Sequence, residues 1–272
     1  MELNNEKVYQ SFLSTTKKLI DIYKNSNIEN RKIKYLPEWL EFYTRQLLEE
    51  NNNKYKLYST YKRGTIVYVN LGSNIGNEFS GNHFCVVMDK KDNPKKSTIT
   101  VVPLSSKKSK HYTQLTSSIF DITIDKLDKK GIQLIEEADK IEDFANLIMD
   151  KHEDYIKAKA ERSALLLKYG YLTETYIEKQ YKEIEVLIKE EAKNFEKKIS
   201  KMKKKAKNIN LVRKVFDRHK NKRSYANVSA ITTISKKRIQ KINNEDPTGE
   251  IKISDEDLKQ IEKQIIIRFI KS

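Results

Sequence analysis

The chain has 272 residues, long enough for one large or two modest domains with a real core. Charged residues make up 34% and apolar residues 38%, with seven Gly and four Pro, a Lys-rich, helix-friendly composition that excludes an all-β protein. The net charge of +16 points to a polyanionic partner, either nucleic acid or an anionic membrane surface, and the single cysteine excludes both an intrachain disulfide and a Cys-based zinc cage.

The opening Met1-Glu2-Leu3-Asn4-Asn5-Glu6 does not read as a signal peptide, and no apolar run approaches the ~18 residues of a membrane span, so a soluble, cytoplasmic protein is expected. Residues 4–26 carry Val8, Phe12, Leu19, Ile20 and Tyr23 at helical spacing. A polar linker, Asn25 to Lys34, follows. Pro37 then opens a second helix with Trp39, Leu40, Tyr43 and Leu47 on one face. Residues 1–58 therefore read as a helical hairpin, expected to dock on the next domain or on a second subunit.

Three β-branched runs come next: Thr65 to Val69, Phe84 to Met88 and Ile99 to Leu104. The second is apolar throughout, as a strand buried on both faces requires, and Cys85 within it reads as a buried structural thiol. Gly72 to Asn82 joins the first two runs with three Gly and three Asn, a composition that calls for special backbone angles. Asp92-Asn93-Pro94 supplies turn chemistry to the second connection. The three runs predict a small antiparallel meander.

Ser105 to Tyr112 is a basic loop, and Ser118-Ile119-Phe120-Asp121-Ile122-Thr123-Ile124 alternates as a fourth strand would. From about Asp125 to Tyr169, Leu134, Ala138, Ile141, Ala145, Ile148, His152 and Tyr155 recur by threes and fours. Gly170-Tyr171-Leu172-Thr173 breaks the pattern. It resumes with Ile177, Tyr181, Ile184, Ile188, Ala192, Phe195, Ile199, Met202, Ala206 and Ile209, a heptad seam with one stutter near Ile188. Residues 125–222 thus predict an antiparallel coiled-coil hairpin. Its end is strongly basic: from Lys197 to Arg223 there are thirteen Lys or Arg and one acid, Asp217. Like charges at i,i+4 repel along a helix, and a bound phosphate backbone, RNA or DNA, would relieve that repulsion. Lys203, Lys204, Lys205 and Lys207 are the densest part. A solvated helix face is the plain alternative. Ser254-Asp255-Glu256-Asp257 then starts a last helix with Leu258, Ile261, Ile265, Ile266 and Phe269 on one face.

The order Arg63-Gly64-x-Ile66-Val67, Asn70-Leu71-Gly72-x-Asn74-Ile75-Gly76-x-Glu78, Ser80-Gly81-x-x-Phe84-x-Val86-Val87 and Val101-Val102-Pro103-Leu104-Ser105-Ser106 resembles the PemK/MazF toxins. Tyr225 to Ile239, with Thr233-Ile234-x-Lys236-x-Arg238 at its end, resembles that family's late strand. The resemblance implies an α+β chain in which an SH3-like small β-barrel, residues 60–124 and 223–272, is interrupted by the coiled-coil hairpin and preceded by the helical one.

It also implies an endoribonuclease of a toxin–antitoxin pair, with RNA as substrate, a cognate antitoxin and a second copy as partners, and no cofactor or metal. The family's site lies between the first connection and the strand ends. There His83 stands at the position of an acid/base Arg, and Ser105, or its neighbour Ser106, at that of a phosphate-holding Thr. Imidazole titrates near neutral pH and suits proton transfer, but it gives up the bidentate phosphate grip of a guanidinium. Asn77 and Glu78 match loop positions that touch RNA in related toxins. Lys107 and Lys108 are candidate phosphate contacts, and His111 is a candidate second imidazole. The four His are scattered, with no metal-ligand spacing. Two other readings stand beside the enzyme: a non-catalytic nucleic-acid-binding module, and a poison of a protein target, since gyrase-directed toxins share the barrel.

Overall fold

A computed structural model describes residues 5–25, 30–51, 57–116, 118–168 and 174–271. The chain divides into two compact units. One comprises Met1–Ile119, Lys222–Lys241 and Thr248–Ser272; the other comprises Phe120–Asn221 and Ile242–Pro247.

In the first unit, the three β-branched runs form β1 (Ile66–Asn70), β2 (Asn82–Val87) and β3 (Thr98–Ser105), antiparallel as the meander predicts. The register Val67↔Cys85 and Val87↔Val101 puts Val67, Val69, Cys85, Val87, Ile99 and Val101 into one core cluster with Ile234. Burial pushes the Cys85 thiol far above its ordinary range, in keeping with a structural rather than nucleophilic cysteine.

β3 is long enough to serve two partners along its other edge. β6 (Thr232–Ser235) pairs with its first half, and β5 (Tyr225–Ala226) pairs with its end at Leu104 and Ser105. β4 (Thr113–Gln114) adds to β5, and β7 (Ile239–Gln240) adds to β1. The result is a seven-stranded antiparallel sheet in which no ladder joins β6 to β7, so it does not close on itself. A one-turn 3-10 helix, Lys236–Arg238, carries the chain from the β3 edge to the β1 edge. The segment read as one late strand is therefore three short ones. Asn227 and Pro103 explain the first break, because the chain leaves the ladder there and the Asn227 N–H binds the Pro103 carbonyl.

Two clips tie the sheet together. Lys236 donates to Asp92 Oδ1 at 2.7 Å and to the Ser59 carbonyl at 3.0 Å, both side chains of the pair being 2% exposed, and Asp92 accepts the Tyr61 N–H at 2.9 Å. Arg63 joins the start of β1 to Glu262 at 2.8 Å on α6 (Asp255–Phe269). The Ser254 cap holds as expected, its hydroxyl accepting the Asp257 N–H at 3.1 Å, and Ile261 is buried.

The N-terminal extension forms α1 (Asn5–Asn25), α2 (Arg31–Lys34) and α3 (Leu36–Asn51). Helix α2 lies within the stretch expected to be a linker, of which residues 26–29 fall outside the described residues. Helix α1 buries none of its residues. On α3 the inward side chains are Trp39 and Phe42, whereas Leu40, Tyr43 and Leu47 are exposed.

The second unit is built from α4 (Ile119–Lys168) and α5 (Glu174–Asp217). The expected fourth strand at 118–124 is instead the first turns of α4. Phe120, Thr123, Ile124 and Leu127 are all buried, a three-and-four spacing that a single helical face satisfies as readily as alternation satisfies a strand. The two helices meet through Phe120 with Phe216, ring centroids 6.2 Å apart, and Phe144 with Phe195 at 6.0 Å. Leu134, Ile209 and Val212 are buried, and Arg213 pairs with Asp128 at 2.9 Å. Gly170 to Thr173, expected to be the break between the helices, lies outside the described residues, as do the side chains of Ile148, Tyr155, Ile177, Tyr181, Ile184 and Ile188. Among the described residues no helix is long and apolar enough to cross a membrane.

Candidate active site

The connection between β1 and β2 is a closed, internally bonded loop. Its base is held by Leu71 N–H to the Gly81 carbonyl at 2.9 Å and Gly81 N–H to the Gly72 carbonyl at 2.7 Å. Asn74 cross-links the interior: its amide donates to the carbonyls of Leu71 at 3.2 Å and Phe79 at 2.7 Å, and its N–H donates to Ser80 Oγ at 3.0 Å. Ile75 stands exposed at the tip.

The N-terminal extension grips this loop. Lys32 Nζ donates to the Asn74 carbonyl at 2.7 Å and also to that of Gly76. The Trp39 ring lies so close to Gly72, which has φ +87°, that a Cβ there would sit 2.8 Å from it. Arg238 caps the same ring at 5.1 Å and donates to the Leu71 carbonyl at 2.9 Å. Helices α2 and α3 thus contact the β1–β2 loop within the first unit.

Between extension and sheet lies a cavity of about 420 Å³. Lys32, Tyr35, Glu38 and Trp39 form one wall, and Tyr68, Asn70, Gly72, Ser73, Ser80, Gly81, Asn82 and His83 form the other. On the far side of the loop is an open groove of about 970 Å³, lined by Asn77 and Glu78 on the loop and by Asn227, Ser229, Thr232 and Arg238 opposite.

His83 is the fixed point of the cavity. It pairs with Val69 at the end of β2, on the same face as Cys85, so its ring sits at the rim of the core. Nδ1 lies 3.2 Å from the Leu104 carbonyl and Nε2 lies 3.1 Å from the Ser80 carbonyl. The ring also packs on Phe79, centroids 4.7 Å apart. Burial lowers the pKa of His83 below its ordinary value, and the two carbonyls, which favour the charged ring, only partly oppose this. Two carbonyl acceptors on two ring nitrogens is a geometry that only imidazolium satisfies completely, because neutral imidazole has one N–H.

The other expected site residues are placed as follows. Ser105 follows Leu104, whose carbonyl His83 engages; its hydroxyl accepts the Lys107 N–H at 3.0 Å, and it does not line the cavity. Ser106, Lys107 and Lys108 are exposed beyond the end of β3, as is His111. Asn77 and Glu78 face the open groove instead of the His83 cavity. Lys203, Lys204 and Lys207 are exposed on α5 in the second unit, and Lys205 is half-buried.

Sequence reasoning did not find Lys32, Tyr35 and Glu38. They sit in or beside the stretch read as linker, and the only signal was the chain's single Trp two positions after Pro37. Among the described residues no group of three or more His, Cys, Asp or Glu is placed to hold a metal ion.

Residues 62–141 match the family model of the PemK-like, MazF-like toxin of type II toxin-antitoxin system. No curated protein matches the chain.

Proposed function

Starting from a chain whose residues 62–141 are of the PemK/MazF toxin type, we propose a metal-independent endoribonuclease toxin that cuts single-stranded RNA. In this reading the seven-stranded sheet, open between β6 and β7, is the counterpart of the SH3-like barrel of such toxins. The observation that carries the reading is His83, a titratable ring held by two carbonyls on the wall of a cavity at the β1–β2 loop.

The reaction is attack of the ribose 2′-hydroxyl on the adjacent phosphorus, giving a 2′,3′-cyclic phosphate and a 5′-hydroxyl. DNA lacks that hydroxyl and is refused. His83 serves as the general acid for the leaving 5′-oxygen in the molecules whose ring is protonated, a share that burial reduces. Ser105, the neighbour of the Leu104 whose carbonyl His83 engages, offers its hydroxyl to the phosphate from outside the cavity wall, with Lys107 and Lys108 adding charge. Asn77 and Glu78 contact flanking nucleotides, and the basic stretch of α5, Lys203, Lys204, Lys205 and Lys207 included, holds the phosphate backbone farther along. A cognate antitoxin and a second copy of the chain are the partners of this reading, and the cytoplasm is its compartment.

One observation favours a second reading. A ring whose two nitrogens are both engaged by carbonyls is also well placed simply to brace the end of β2, in which case the sheet binds nucleic acid without cutting it. Cleavage of a mixed-sequence RNA in EDTA, with His83→Ala alongside, separates the two. The enzyme predicts cyclic-phosphate ends and a loss of about 10²–10⁴-fold in rate in the variant, with RNA binding retained. Salt-sensitive binding with no cleavage by the native protein would leave the binding module.

A further inference from the structure

The cavity that holds His83 is composite. Its sheet-side wall belongs to the matched toxin segment, but its other wall belongs to α2, α3 and the residue between them, which precede that segment. The titratable groups facing it are Lys32, Tyr35, Glu38, Tyr68 and His83, so it has one imidazole and one carboxylate. Lys32 is committed to the Asn74 and Gly76 carbonyls. Tyr68 packs on Phe84, ring centroids 4.9 Å apart. Glu38 sits in the first turn of α3, exposed, with no hydrogen bond or ion pair among the described residues. A carboxylate acting as a proton acceptor needs that kind of freedom.

We infer that Glu38 is the general base of the reaction and that the N-terminal extension completes the active site. This rests on the ribonuclease reading above. Glu38 takes the proton of the 2′-hydroxyl as the 2′-oxygen bonds to phosphorus. The bond from phosphorus to the 5′-oxygen breaks with its electron pair on that oxygen, which takes a proton from the His83 imidazolium. Glu38 ends protonated and His83 neutral, and exchange with water restores both.

Glu38 and His83 line the same cavity of about 420 Å³ from opposite walls, a space of the size that small-ligand pockets have. Tyr35, 47% exposed beside Glu38, offers a ring on which a base next to the scissile phosphate can stack.

The test compares full-length wild type, Glu38→Gln, Glu38→Asp and His83→Ala on one RNA in EDTA, reading kcat, KM and the pH profile. Glu38→Gln should lose at least about 100-fold in kcat with KM within about twofold, and should lose the acidic limb of the profile. Glu38→Asp, which keeps the carboxylate, should restore part of the rate and that limb. Native thermal unfolding in both Glu38 variants shows that the exposed substitution has not disturbed the fold. Cleavage that disappears in His83→Ala but survives within threefold in Glu38→Gln overturns the inference and leaves the ribonuclease intact. A rise in activity in Glu38→Gln also overturns it, because α3 would then be a plug. No cleavage by wild type removes both the reading and the inference.

Discussion

The contact between Trp39 and Gly72 is the point at which the extension and the toxin-type segment are fitted to each other, and Gly72→Ala tests it. At φ +87° a side chain costs about 1–2 kcal/mol by itself, because the Cβ crowds the following carbonyl. The new Cβ would also lie 2.8 and 2.9 Å from two atoms of the Trp39 ring. That ring has little room to retreat, being stacked with Phe42 at 5.7 Å and Tyr43 at 5.9 Å and capped by Arg238 at 5.1 Å. Overpacking of this kind adds about 1–3 kcal/mol, so Gly72→Ala should lose roughly 2–5 kcal/mol of unfolding free energy. In a Trp39→Ala background the obstruction is gone and only the backbone strain remains. Urea unfolding of wild type, the two single variants and the double variant should therefore give a coupling energy of about 1–3 kcal/mol. An equal cost of Gly72→Ala in both backgrounds would refute the reasoning, since the ring would then not be what the methyl meets.

Two further outcomes are expected. Because burial depresses the pKa of His83 in the folded state, the unfolded chain binds more protons there as pH falls below about 6.5. Its contribution to stability is thus complete above the unfolded value and is lost as pH falls through the lower folded value. A His83→Gln variant should show a flatter loss of stability over that window in urea unfolding measured at successive pH values, and an unchanged slope would show that His83 is not the group responsible. Replacing Lys203, Lys204, Lys205 and Lys207 together by Gln should weaken RNA binding and make its dependence on log salt concentration shallower by up to about 3, near 0.7 for each single-strand phosphate that the variant leaves unneutralised. A parallel salt dependence in the variant would place the RNA elsewhere.

Much of the fold is legible in the sequence where one residue type has one physical use. The β-branched runs from Thr65 to Leu104 have no comfortable alternative to strand, and the glycines of the first connection reach positive φ at 72, 76 and 81, as the Gly- and Asn-rich composition there suggested. The Ser254 cap follows from a hydroxyl three residues before a free N–H, and the long helices α4 and α5 follow from apolar residues repeated by threes and fours. His83 was legible as a candidate because its ring stands where the family pattern has a charged side chain.

The remainder depended on what each segment meets. Ser118 to Ile124 satisfies a strand and a helix equally, and the helix prevails because Phe120, Thr123, Ile124 and Leu127 then share one buried face. The late strand breaks into three because β3 offers its edge to two partners in succession, which no local pattern in residues 225–240 records. The choice of Trp39 and Phe42 over Leu40, Tyr43 and Leu47 as the inward face of α3 was made by Gly72 and Arg238, residues far off in sequence that only folding brings to that helix. The same convergence puts Glu38 and His83 on the walls of one cavity. The sequence alone determined which residues are able to move a proton. Tertiary packing decided which of them face the same space, because that depends on contacts between segments distant in the chain.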